Sequence, residues 1–488
     1  MTNLYKDFFK ITNYLETDNL DFTYKTVVIT EGNLHQGSED TIASFEKFNV
    51  AKTLAIFNFL KYKLHSEQDP QQREWLEKNI NFFTNALSNI KNDKTFITPE
   101  HIFINQKYEK VFYDNDKKIG RLYNHNSMQT LPRELRYYMF KDDYIDFDIE
   151  NAHPTILYLY SKKHKIKLNG ALREYVRNKT SVMFVIQLEI NLAQPRTMCD
   201  LPISHVKEKV LTLLNKTWDG STNGTKEKST TLSRLDDDFM AIRNHLWDSF
   251  CEGKLPGYSD AIHKSITKKQ EKYTSSGVVD TKKLNLLEKV VLQSFYCQTQ
   301  ETEHLMKLIG FLREKYSVFI LKVGKPNFSD FHPHIDKKVA LGARHTLSVV
   351  PFFDGVYISS PCNEFMTSLT GLVDEYNSKE IGVTFVKKNI EEHRSRIPDT
   401  DELRKFIIIN SWLSNSTSEF YLDQLLSKTE IYEKAVELLQ DKTKFENEKK
   451  WENNYGQKLE SLKSLIFKQL LEHPIENQSD INEIIKKL

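Results

Sequence analysis

The run Asp142-Asp143-Tyr144-Ile145-Asp146-Phe147-Asp148-Ile149-Glu150-Asn151-Ala152-His153-Pro154-Thr155-Ile156-Leu157 constrains the fold more than any other stretch. Its first half alternates with period two. Tyr144, Asp146 and Asp148 fall on one side of an extended strand, and Ile145, Phe147 and Ile149 on the other. The second side is apolar enough to bury, while the first carries two carboxylates. A turn follows at Asn151, and Pro154 suits the first turn of a helix, where its missing N–H costs no hydrogen bond. The spacing therefore predicts strand, turn and helix, the helix running from about Ala152 to His164. A carboxylate at a strand end, facing a cleft, is suited to holding a divalent cation. The same residues also describe a surface strand with an acidic edge.

The chain has 488 residues, long enough for about two to four domains. At 39% hydrophobic and 12% aromatic residues it can build a large core. A net charge of +1 gives no overall basic field, so local patches must carry any case for nucleic acid. Cys199, Cys251, Cys297 and Cys362 are scattered with no CxxC pair, which argues against a zinc finger or a disulfide framework. No apolar run reaches the ~18 residues of a membrane span. The first residues lack the apolar core of a signal peptide. The expectation is a soluble, intracellular protein without a membrane partner.

Upstream of the carboxylate strand, Phe45, Phe48, Leu54, Phe57, Leu60 and Leu64 recur near helical spacing and predict a helix from Ser44 to the break at Asp69-Pro70. Trp75, Leu76, Ile80, Phe83, Leu87 and Ile90 predict a second helix, completing a helical hairpin. Residues 95–140 shift to shorter elements that include Gly120-Arg121-Leu122-Tyr123, Ser127-Met128-Gln129-Thr130-Leu131-Pro132 and Arg136. Arg and Gln interleaved with aromatics suit contacts with a nucleic-acid backbone and minor groove. They equally suit a charged surface loop.

Downstream, Lys and Arg outnumber Asp and Glu between Ser161 and Thr230. His205 to Asn215 reads as a helix with Lys207, Leu211 and Leu214 on one face. A Lys facing a cleft can neutralise a triphosphate as a point charge, although most such residues are simply solvated. Gly220 to Thr225 is a flexible loop, and a polar insertion follows with Lys264, Lys268, Lys269 and Lys272. A long helix is predicted over Leu284 to Tyr316, its buried stripe formed by Leu305, Leu308, Ile309 and Leu312, with a strand over Ser317–Leu321 after it. His332, His334 and Asp336 lie in a Pro-flanked segment that reads as a polar loop rather than a metal site. Between Thr346 and Ser359, Asp354-Gly355 separates two apolar runs. That is the strongest short-range hairpin signal, and it puts Asp354 at the turn. Residues 401–488 are helical by pattern, with Leu459, Leu462, Ile466 and Leu470 on one stripe.

The order of these elements resembles a family A DNA polymerase over roughly residues 115 to 360, and within that family the short, divergent enzymes of viruses and mobile elements, which share the Asn-Ala-His-Pro wording. Gly120-Arg121-Leu122, Met128-Gln129-Thr130-Leu131-Pro132 and Arg136 resemble the element that precedes the palm and grips primer and template. Asp148 stands at the motif A aspartate. Lys207 and Asn215 have the spacing of the motif B lysine and tyrosine, and Phe353-Asp354-Gly355 takes the place of motif C. Gln298 resembles the residue of the helix that approaches the primer-template minor groove.

The resemblance implies phosphoryl transfer from dNTPs to a primer 3′-hydroxyl, assisted by two Mg²⁺ ions, with Mn²⁺ as a substitute. Asp148 and Asp354 would bind both ions, with Asp146 a secondary ligand. Lys207 would meet the triphosphate. Arg121, Gln129, Arg136 and Gln298 would hold the DNA primer-template. Departures from the family are His153 where a Glu is usual, Asn215 for the tyrosine, Ile203 for the motif B arginine, and Gly355 for the second motif C acid. Lys209 or Arg196 would supply the missing charge. His153 and Asn215 stand where the family gates the sugar, which leaves dNTP against rNTP preference open.

The implied fold is α+β: a polymerase right hand, its palm an antiparallel sheet with helical fingers and thumb, plus a helical C-terminal domain. Residues 1–114 form an N-terminal helical region serving as thumb. Residues 115–395 form palm and fingers, with fingers at about 165–300, and 396–488 an accessory domain able to dock a helicase, a primase or another replication protein. No proofreading carboxylates are recognisable in residues 1–115. Alternatives are a primase or RNA polymerase that starts without a primer, and an inactive nucleic-acid-binding protein on the same fold.

Overall fold

A computed structural model describes residues 41–88, 95–97, 101–114, 117–124, 127–193, 202–215, 229–255, 258–259, 262–267, 281–323, 347–352, 354–360, 363–380, 382–390, 400–413, 424–425 and 465–487. Helices and two small antiparallel sheets make it an α+β protein. The Gly220–Thr225 loop, Lys268, Lys269, Lys272, Arg196, the His332–Asp336 segment, Leu459 and Leu462 lie outside the described residues.

The first sheet contains β1 (Thr41–Asn49), β2 (Thr95–Ile97), β3 (His101–Asp114) and β4 (Lys117–Tyr123), with β3 pairing all three others. Helices α1 (Val50–Ser66) and α2 (Pro70–Ser88) form the expected hairpin between β1 and β2. The expectation that helix begins at Ser44 is wrong, because residues 41–49 are strand β1. Their burial alternates: Ile42, Ser44, Glu46 and Phe48 point inward. Asn49 ends the strand and caps α1, its side chain accepting from Lys52 N–H at 3.0 Å. The N-terminal region is therefore not helical throughout.

After a 3₁₀ turn (Met128–Thr130) and α3 (Arg133–Phe140), the chain enters β5 (Ile145–Ile149) as the alternation predicts. Helix α4 (Ala152–Lys163) follows directly. Next come α5 (Ala171–Arg177), α6 (Lys179–Leu192), α7 (Ile203–Asn215) and α8 (Thr230–Cys251). Helix α9 (Thr281–Val323) runs for 43 residues, absorbing the strand expected over Ser317–Leu321. The stripe of Leu305, Leu308, Ile309 and Leu312 is buried as its spacing implies.

The hairpin β6 (Ser348–Phe352) and β7 (Gly355–Ser359) pairs Phe352 with Gly355, leaving Asp354 in the turn. Helix α10 (Asn363–Lys379) and β8 (Phe385–Lys388) complete the second sheet, in the order β6-β7-β5-β8. Phe147, Ile149 and Phe385 are buried beneath it. On the other side, Phe140 of α3 packs against Tyr144, Phe352 and Tyr357. The two sheets are joined at β1 and β6, where Val349 N–H donates to Ser44 Oγ at 2.7 Å. Tyr144 ties in beside them, accepting from Lys47 N–H at 2.7 Å. Helices α11 (Thr400–Leu413) and α12 (Gln478–Lys487) lie in the C-terminal region, where Phe406 meets Phe59 of α1 and stacks on Phe467. Among the described residues, no helix is long and apolar enough to cross a membrane.

Candidate active site

The site is built on the register of three strands. β5 is central, with Asp146 opposite Tyr357 and Asp148 opposite Gly355 on one flank. On the other flank, Asp146 faces Lys388 and Asp148 faces Val386. Beyond the last strand pair, Ile149 N–H donates to the carbonyl of Asp354 at 3.0 Å, fixing the β6–β7 turn beside the end of β5. Asp148 and Asp354 thus stand at neighbouring strand ends, which is what a hairpin laid against a carboxylate strand produces.

Gly355 makes that register possible. A Cβ at this position would lie 1.7 Å from Asp148 Oδ1 and 2.9 Å from the carbonyl oxygen of Phe147. Gly355 is therefore the gap into which the Asp148 carboxylate fits.

Three carboxylates share the face. Burial, then the charge of Asp148, pushes the Asp146 carboxyl up to about 7. Burial, then Asp148 and Glu301, raises the Asp354 carboxyl from its ordinary value. In both, burial leads and neighbouring negative charge adds to it. Lys388 answers part of it by pairing with Asp148 Oδ2. Burial works against its ammonium, but the Asp148 bond and the fields of Asp354 and Asp146 outweigh that and raise its pKa. Lys179, the first residue of α6, joins from another side. Its pKa is lowered by burial, then by Lys207 and Lys388, against the pull of Glu150 and Asp354. Lys207 is exposed on α7, whose Val206, Val210, Leu213 and Leu214 face the core. Lys209 is half-buried on the same helix, and Asn215 is its last residue.

A second cluster lies where β4, α4 and α9 converge. Glu301 of α9 is buried, its side chain 1% exposed. Oε2 accepts from Arg121 Nε at 2.9 Å and lies 2.8 Å from Nη2, and Oε1 lies 2.9 Å from His153 Nε2. Burial would raise this carboxyl, but His153 and Arg121 outweigh it and hold it below its ordinary value. Two hydrogen bonds clamp the same turn of α9 to β4: Gly120 N–H to Thr299 Oγ1 at 3.1 Å, and Thr302 Oγ1 to the Gly120 carbonyl at 2.9 Å. Asn151 delivers His153 here by taking the left-handed conformation, φ 50°, between β5 and α4, a conformation Asn adopts more readily than most residues.

The remaining expected contact residues have partners within the fold. The Gln129 amide donates to the carbonyls of Leu122 and Pro351, both at 2.8 Å, and accepts from Asn124 N–H at 3.1 Å. It bolts β4 to β6. Arg136 lies over the Phe352 ring at 4.8 Å, in the field of Tyr357 and Asp146. Gln298 donates to Ser294 Oγ at 3.0 Å, one turn back on α9.

Glu301, Lys388 and Lys179 are the site residues that sequence reasoning missed. Glu301 carried a signal: it sits four residues before Leu305 on the buried stripe of α9, and a carboxylate on a buried stripe needs a partner. Nothing in the sequence tied Lys388 to Asp148. Compared with known proteins, the chain matches no family model and no curated sequence.

Proposed function

We propose that this chain is a template-directed DNA polymerase acting by phosphoryl transfer. The observation that carries the reading is the meeting of Asp148 and Asp354 at adjacent strand ends, with the charges of Lys388, Lys179 and Lys207 in the same field. Opposite charges so arranged suit a reaction in which a polyanion must come up against carboxylates. In this reading the β6-β7-β5-β8 sheet is the palm of a right hand, the helices from about residue 165 to 300 are fingers, and the N-terminal helices are the thumb.

The donor set fits Mg²⁺. Among the described residues no three His, Cys, Asp or Glu side chains form a metal-holding group. Mg²⁺ does not need one, because it is commonly held by one or two carboxylates together with water and substrate phosphates. Asp148 and Asp354 would be its ligands, and their crowding is the electrostatic reason to bind a cation. When bound, the ion would acidify the primer hydroxyl and offset charge on the phosphates. Lys179 and Lys207 neutralise the triphosphate from the helical side. Gly355 keeps the Asp148 carboxylate where it can meet substrate. Arg136 and Gln129 hold the sheet against α3 and β4, so their contribution to primer-template binding is to shape the surface beneath it.

Primer extension with Mg²⁺, on DNA and RNA templates and with dNTPs and rNTPs, tests the reading. Extension should be lost in Asp148→Ala and in Asp354→Ala. Extension that survives both changes refutes it. An unprimed single-stranded template with labelled rNTPs separates a primer-dependent enzyme from one that starts strands itself.

A further inference from the structure

We infer that Lys388 is a displaceable counter-ion, which occupies Asp148 Oδ2 and gives it up when a divalent cation binds, a role that rests on the reading of Asp148 and Asp354 as metal ligands. The fold commits the two oxygens of the Asp148 carboxylate differently. Oδ1 is packed against β7 in the space that Gly355 leaves, 1.7 Å from where a Cβ would lie. Oδ2 pairs with the Lys388 ammonium. A cation approaching Asp148 therefore meets one oxygen set against backbone and another already neutralised. Two cations on one carboxylate oxygen repel each other. Mg²⁺ takes its oxygen ligands at about 2.0–2.1 Å in near-octahedral geometry, so an ammonium cannot share the same approach. Lys388 and the metal are alternatives at Oδ2.

The placement of Lys388 makes the exchange simple. β8 is the edge strand of the β6-β7-β5-β8 sheet, and Lys388 is its last residue. Across the ladder Lys388 stands opposite Asp146, whereas Asp148 stands opposite Val386. Its ammonium thus reaches Asp148 along the diagonal, two positions from its own partner, on a flexible four-carbon stem. The Lys388 side chain is 51% exposed and that of Asp148 only 17%, so the ammonium is the member with room to leave. A cavity of about 760 Å³ borders both Lys388 and Asp146, with Tyr137, Lys141, Lys387 and Asn389 also in its lining. The stem can turn into that space without moving β8. The displaced ammonium stays beside the carboxylates, where phosphates arriving with the cation give it a new partner. Lys388 therefore holds down the metal affinity of the free chain and ties cation binding to the arrival of a polyanion.

The test is Mn²⁺ binding by the full chain without nucleotide or DNA, read from the electron paramagnetic resonance signal of the free ion. Wild type is compared with Lys388→Met, Lys388→Gln, Lys388→Arg and the double variant Asp148→Asn/Lys388→Met, with a thermal melt of each in the presence and absence of Mn²⁺. Lys388→Met and Lys388→Gln remove the charge from an exposed edge position, and Lys388→Arg keeps it. Removing a cation from beside the metal's own ligand should tighten Mn²⁺ binding about 10-fold or more in both charge-free variants. Their melting temperatures should rise further on addition of Mn²⁺ than that of wild type. Lys388→Arg should bind no tighter than wild type, and the double variant should lose the gain. Equal or weaker Mn²⁺ binding by a folded charge-free variant overturns the inference. So does a gain that survives Asp148→Asn, since it would then come from another place. Primer extension by the wild-type chain is read separately: its absence alongside the gain in affinity would overturn the polymerase reading and leave the competition at Asp148 standing.

Discussion

Replacing Gly355 by Ala adds one methyl group at the point where β7 crosses the Asp148 carboxylate. The new Cβ would lie 1.7 Å from Asp148 Oδ1, where ordinary contact begins near 3.4 Å, so that oxygen must retreat by about 1.7 Å. The carboxylate alone cannot absorb the change, because the Cβ also comes within 2.9 Å of the Phe147 carbonyl oxygen, a backbone atom of β5. Either β5 and β7 part locally or Asp148 swings away and gives up its pairing with Lys388. Overpacking of this kind costs about 1–3 kcal/mol of stability. The effect on catalysis should be larger than that suggests, since displacing a reacting group by about 1 Å can cost roughly 10²-fold in rate. Urea unfolding and primer-extension kcat, read on the same preparation, give both numbers. Gly310→Ala is the control: it lies within α9 with nothing within 4 Å of its Cβ position, and it should stabilise by about 0.5–1 kcal/mol through helix propensity. Wild-type stability together with wild-type activity in Gly355→Ala would refute the close packing of Asp148 on β7 and the placement of the site that follows from it.

Asp354→Asn should abolish extension yet leave the protein at least as stable at neutral pH without divalent cations, because it removes a carboxylate raised by burial and by Asp148; a lower melting temperature would contradict the crowding. Glu46 is fully buried, accepts from Met128 N–H at 2.9 Å, and is pushed up to about 8, first by burial. A carboxyl whose folded pKa exceeds its unfolded one costs stability as pH rises, here from about 4.5 to about 8. Glu46→Gln should flatten that part of the pH–stability curve, and an unchanged slope in calorimetric melts would count against it. Asp143 behaves in the opposite sense: burial works against its charge, but His101, Lys52 and Lys47 outweigh it and depress its pKa. Its contribution is present above the unfolded pKa near 3.8 and is lost as pH falls through the lower folded value. Asp143→Asn should cost about 3 kcal/mol at pH 7 by leaving those cations uncompensated, as measured by urea unfolding.

The carboxylate strand, the turn at Asn151, helix α4, the hairpin at Asp354 and the stripe of α9 were all legible in the sequence, because each is written in a period or in turn chemistry that local sterics enforce. β1 was misread for a definite reason. Its inward positions are Ile42, Ser44, Glu46 and Phe48, and two of the four are polar. Ser44 accepts from Val349 and Glu46 from Met128, so the alternation is satisfied by hydrogen bonds that no hydrophobic pattern records. The segment from Ser317 reads as strand by its Val, Phe and Ile, but the helix already nucleated and packed through Leu312 and Tyr316 carries on through it. Asp148 and Asp354 could be named as site candidates from their local settings. Lys388 and Glu301 could not be, since what makes them site residues is a contact across 240 positions in one case and 180 in the other.

Those separations also order events on the ribosome. Asp148 is synthesised 240 residues before the lysine that pairs with it. At about 5–20 residues per second, the carboxylate strand waits roughly 12 to 48 s for that partner. The junction between the two sheets waits longer, because Ser44 of β1 meets Val349 of β6 across 305 positions. The nascent chain therefore carries Asp148 without Lys388 for about half of synthesis, and the site is complete only once residue 388 has been made.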